Sequence, residues 1–111
     1  MTGPEKLAEI LEQFEEILTN IDSIQNGLLK RIDEIMLEMD NVKNNTEISP
    51  QKKEKELKKL EQKKQKLEEK GKEKVEKMQK NAQEWKRLQE EALTQSILDL
   101  AQAKALALMG L

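Results

Sequence analysis

Six apolar residues, Leu7, Phe14, Ile21, Leu28, Ile35 and Val42, follow one another at intervals of seven without a miss. A second column, Leu11, Leu18, Ile32 and Met39, stands four residues after members of the first and is interrupted only at Gln25. A strand would scatter such a set over both its faces, whereas an α-helix gathers it into one stripe. A seven-residue repeat sustained this long predicts a long helix with a coiled-coil-like seam, over about residues 4–44. Its start is marked by Thr2 and Glu5, three apart as in a capping box, with Pro4 in the first turn where a missing N–H costs nothing.

The segment "NNTEISP" ends this helix. Two asparagines favour a turn over 45–49, Ser49 can cap a second helix, and Pro50 suits that helix's first position. Beyond Pro50 there is no further proline, and Gly110 is a suitable stop, so the second helix is expected over about 50–109. At about 1.5 Å per residue it would reach roughly 90 Å, against roughly 60 Å for the first. A short connection makes the two helices antiparallel neighbours. The expected fold is therefore all-α, a single antiparallel helical hairpin spanning 1–111. Folding back at Glu47 would set Leu28 near Leu67, Ile35 near Leu60, Leu7 near Leu88, and Phe14 near Asn81 and Ala82. The first helix would then run out near Glu91, leaving 92–111 as an apolar overhang.

Charge is compatible with this pairing. Residues 1–50 carry a net charge of −7, residues 51–80 hold thirteen lysines and seven glutamates, and residues 81–111 are near neutral. Exposed ion pairs contribute only about 0–1 kcal/mol each, so charge favours the arrangement without holding it. Along 51–74 the only large apolar groups are Leu57, Leu60 and Leu67, with Lys64 in the seam between them. Order there is expected to lean on Glu54/Lys58, Glu68/Lys72, Glu73/Lys77 and Glu76/Lys80, at about 0.2–0.5 kcal/mol each. Gln25, Gly27 and Gly71 fall near one level, which predicts a junction or bend. Toward the open end Ile10, Ile17 and Ile24 add a third column, answered by Val75, Met78, Ala82, Trp85 and Leu88.

The two arms are unequal. Residues 4–43 hold sixteen large apolar side chains, whereas residues 51–91 hold seven. Each Leu or Ile left in water forgoes about 1.5–3 kcal/mol, and a two-helix chain has little interior. Self-association is the expected remedy, through Leu7, Ile10, Leu11, Phe14, Ile17, Leu18, Ile21 and Ile24 of the first helix. Leu93, Ile97, Leu100 and Leu108 of the second join them, with Trp85, the only indole, anchoring the interface.

Chemistry is tightly bounded. With no cysteine and no histidine there are no disulfides, thiolate nucleophiles, Cys/His zinc sites or imidazole bases. Glu5, Glu9, Glu12 and Glu16 step along one face, but di-metal helical sites pair glutamate with histidine, so the run reads as a solvated acidic face. "DNVKNNTE" lacks the glycine and alternating acids of a calcium loop, and "NNT" is a glycosylation pattern common by chance. The lysine-rich 51–80 segment contains no arginine and no aromatic, which argues against base readout or stacking on single strands. No enzyme activity, cofactor, metal or small-molecule substrate is expected.

The expected function is a non-catalytic structural or protein-interaction subunit that forms homo-oligomers. One alternative is a small helical chaperone or adaptor that covers a client in export or assembly. Another is a membrane-active hairpin using the C-terminal segment. That segment holds one lysine, no arginine and no aromatic, so protein contact suits it better than a lipid interface. No signal peptide is visible, and the compartment is left open between cytoplasm and leaderless export.

Overall fold

A computed structural model describes residues 2–110. Two helices, α1 (Gly3–Asn44) and α2 (Pro50–Leu108), account for nearly all of them, and no strand occurs among the described residues. The fold is an all-α helical hairpin.

Local chemistry sets the helix ends. Thr2 N–H donates to Glu5 Oε2 at 3.2 Å while Glu5 N–H donates to Thr2 Oγ1 at 3.3 Å, a reciprocal capping box. In the connection, Glu47 N–H donates to the Asn45 side-chain oxygen at 2.9 Å, closing an Asx turn. Ser49 Oγ then accepts from Lys52 N–H at 3.3 Å, and Pro50 opens α2. At the far end Gly110 takes a positive φ of 73° directly after the last turn, a conformation that glycine reaches without a Cβ clash.

The chain divides into two compact units, one of Met1–Asn20 with Gln79–Leu111 and one of Ile21–Met78. Each joins α1 to α2 in antiparallel sense. In the first unit Gly3 packs near Ile97 and Phe14 near Lys86. Ile10, Phe14 and Ala82 are its buried apolar residues. In the second unit Leu28 packs on Gly71, and the Lys53 ammonium donates to the Lys43 carbonyl at 3.0 Å. Ile21, Ile35 and Val75 are buried there, and Ile21, at 2% exposure, is the most enclosed large side chain.

These contacts correct the register. Leu28 meets Gly71, four residues beyond the expected Leu67, and Phe14 meets Lys86, four residues beyond the expected Ala82. The offset is about one helical turn. Helical side chains lean toward their own N-terminus, so in an antiparallel pair the two sets lean in opposite directions. A residue of α1 therefore meets α2 residues further along the chain than backbone levels alone suggest. Both helices run uninterrupted through Gly27 and Gly71, and the two units divide at Asn20/Ile21 and Met78/Gln79.

Gly71 has a packing role. A Cβ there would lie 2.8 Å from Leu28 Cδ1 and 3.3 Å from Cδ2, while one at Gly27 would meet nothing within 4 Å. The ion pairs differ as well. Lys64–Glu68, Lys72–Glu76 and Lys86–Glu90 form at 3.6–4.0 Å, each with lysine preceding glutamate, in place of the expected Glu-to-Lys set. Lys64 and Lys86 are half-buried, and laying the aliphatic stem on the helix seam while the ammonium reaches a glutamate one turn on suits both.

Gly27→Ala should raise unfolding free energy by about 0.5–1 kcal/mol, the usual glycine penalty within a helix. Gly71→Ala gains the same propensity but must displace Leu28, so its urea midpoint should lie below that of Gly27→Ala. Equal midpoints would contradict the close approach at Gly71.

Candidate protein-interaction surface

The residues expected to mediate association fall into three groups. Ile10, Phe14 and Ile21 are buried within the single chain, so their assignment to an external interface is corrected. The cover differs from what residue counts implied. Lys86 lays its side chain over the Phe14 ring, with the ammonium 5.1 Å from the centroid, and buried Ala82 belongs to the same unit. A lysine side chain thus serves as a partner of the ring, and the cation over it adds about 0.5–1 kcal/mol. Ile17, Leu18, Ile24, Trp85 and Leu93 are half-buried. Leu7, Leu11, Ile97, Leu100 and Leu108 are exposed, rising from 41% at Leu7 to 90% at Leu108.

The exposed group is organised by where α1 begins. Gly3, Pro4 and Leu7 form one wall of an open recess, and Leu93, Thr94 and Ile97 form the other. The capping box starts α1 at this level, so α2 is accompanied as far as Ile97. This moves the overhang: Leu93 and Ile97 lie beside α1, and the uncovered part of α2 begins after them. Beyond Ile97 every described residue is exposed. Leu98, Leu106 and Met109 belong to this surface although the sequence reading did not select them. Their signal was available in the absence of charge between Asp99 and the C-terminus other than Lys104. Leu11, one turn along α1 from Leu7, extends the apolar surface on the other arm.

The interior holds no buried polar or charged side chain among the described residues, and no group of three potential metal-ligating side chains occurs there. Among the described residues, no helix is long and apolar enough to cross a membrane. Among the described residues, one polar cluster has displaced ionisation, and it lies on the exposed face of α2. There the Arg87 guanidinium pairs with Glu84 and with Glu91, the latter at 2.6 Å. Its hydrogen bond to Glu84 lowers that carboxyl below the usual carboxylate range, and the two glutamates in turn raise Arg87. This arrangement braces an exposed helix turn, and Arg87 and Glu91 line an open recess there with Glu90, Thr94 and Gln95.

No family model, curated protein or solved structure matches the chain.

Because the Glu84 pKa is depressed in the folded chain, its pairing with Arg87 stabilises above the unfolded carboxylate pKa. The contribution disappears as pH falls through the folded value. Arg87→Ala should return Glu84 toward the ordinary carboxylate range in a carbon-detected NMR titration, with little change in helicity. An unmoved Glu84 titration would show that Arg87 is not its partner in solution.

Proposed function

We propose that this protein is a non-catalytic structural or protein-interaction subunit that self-associates through the open end of its hairpin. One observation supports the reading above all. The recess of Pro4, Leu7, Leu93 and Ile97 runs into an uncovered apolar stretch of α2, through Leu98, Leu100, Leu106, Leu108 and Met109. Scattered exposed leucines are ordinary, but a contiguous set on one segment marks an interface. Each such side chain removed from water is worth about 1.5–3 kcal/mol, so a few of them offset the cost of association.

In this reading a helix of a neighbouring copy lies along the uncovered part of α2 and extends the seam that α1 begins. Leu7 and Leu11 widen the apolar surface, and half-buried Trp85, Ile17, Leu18 and Ile24 become more enclosed as subunits meet. The alanines of the segment, Ala101, Ala103, Ala105 and Ala107, let helices approach closely in a coiled-coil-like contact. Lys104 sits within the apolar stripe, where it can keep its ammonium wet while its stem is covered.

Absolute mass measured by light scattering across a concentration series tests this directly. The full chain should exceed monomer mass and gain mass with concentration. Removing residues 98–111 should lower the mass toward the monomer without loss of α1 helicity, and Ile97→Asp should weaken association by tenfold or more, about 1.4 kcal/mol. A full chain that stays monomeric at every concentration would overturn the proposal.

A further inference from the structure

The lysines of α2 are not spread evenly around the helix. Lys55, Lys59, Lys63, Lys66, Lys70 and Lys74 recur at spacings of three and four, so they share one face. All six are exposed. The face lies about a third of a turn from the side that carries Leu60, Leu67 and Val75. The described ion pairs in the Ile21–Met78 unit use Lys64 and Lys72 instead, both off this stripe. Glu34 and Glu38 of α1 border it, lining a shallow recess with Lys63, Lys66 and Lys70, and neither is ion-paired there. The stripe is therefore a row of cations about one helical turn apart, partly compensated by Glu56, Glu69 and Glu73 of α2 and by the flanking Glu34 and Glu38.

The same chain carries the complementary row. Glu5, Glu9, Glu12 and Glu16 are exposed on one face of α1, in the other compact unit. Their spacings of four, three and four are those of Lys59, Lys63, Lys66 and Lys70. Glu5 also accepts the Thr2 N–H of the capping box, through one carboxylate oxygen. The described ion pairs of that unit, Lys86–Glu90 and Arg87 with Glu84 and Glu91, leave all four glutamates aside.

We propose that the lysine stripe of one copy docks on the Glu5–Glu16 face of a second copy. This rests on the self-association reading above and names a second surface for it. Two rows of opposite charge with one periodicity can align four to four, and helices laid side by side bring such rows within reach over their whole length. A row of like charge is repelled by the equivalent row of a neighbour, so contact between identical faces is disfavoured and the docking joins different faces of the two copies. Single exposed pairs are weak, so the charge rows select orientation and partner while the apolar open end supplies most of the affinity. The stripe lacks arginine and aromatic side chains, which disfavours a nucleic-acid occupant.

Two charge-reversed chains test this. One carries Lys59→Glu, Lys63→Glu, Lys66→Glu and Lys70→Glu, and the other carries Glu5→Lys, Glu9→Lys, Glu12→Lys and Glu16→Lys. Circular dichroism of each reports retained helicity. Each alone should associate about tenfold or more weakly than the parent at low salt, and the equimolar mixture should recover association between the two variants. Association of the parent should also weaken as salt rises from roughly 0.01 M to roughly 1 M, because the screening length falls from about 30 Å to about 3 Å. If the parent self-associates but neither reversal changes its mass, the charge docking is wrong and the apolar assembly stands. If the mixture fails to recover, the docking is wrong even where the single variants weaken. A duplex DNA probe that binds the parent, and is lost with the lysine reversal while self-association is unaltered, would assign the stripe to a phosphate backbone and overturn the proposal. A parent that is monomeric throughout overturns the assembly reading itself.

Discussion

The apolar contact between α1 and α2 is the interaction on which the rest of the molecule depends. Buried Ile10, Phe14 and Ala82 in one unit, and Ile21, Ile35 and Val75 in the other, are what the two arms share. The described ion pairs all run along α2 itself. Across the arms the described polar contact is the Lys53 ammonium on the Lys43 carbonyl, next to the turn. Although the acidic arm faces a lysine-rich one, the charges that remain after this adhesion are left on outer faces. They contribute little to holding the hairpin shut.

A seam of this kind is narrow. Two helices can hide one stripe each, so a helix with two or three apolar columns keeps some of them wet. Leu11, of the second column, and Leu29 and Met36, each next to a member of the first, are such residues on α1, all exposed. The excess is greatest where α1 starts and α2 continues. Because the capping box of Thr2 and Glu5 defines that start, a local hydrogen-bond motif decides where the apolar cover of α2 ends. The exposed surface at the open end and the separated charge rows have one origin: a two-helix fold has too little interior to absorb its own chemistry.

Much of the fold was legible in the residues. Both helices, the turn over 45–49, the Ser49 cap and the Gly110 stop follow from short-range rules, and the structure shows each in place. The candidate surface was legible in part. Leu7, Leu11, Leu100 and Leu108 are exposed as expected of interface residues, but Ile10, Phe14 and Ile21 are covered within the chain. Counting large apolar groups missed that Lys86 can cover Phe14 and that Gly71 lets Leu28 settle against the backbone. The register slipped because contacts were assigned by backbone level, whereas side chains of antiparallel helices lean in opposite directions.

The sequence by itself determined two helices, their limits and the existence of an apolar excess, because helix bonds, caps and stripe periodicity all act within a few residues. Only the tertiary structure decided which apolar residues are covered. That outcome depends on how far the α1 side chains reach along α2, and on whether a glycine, an alanine or a lysine stem awaits them. It is why Gly3 meets Ile97, and why the uncovered length of α2 begins after Ile97 and not at Ala92.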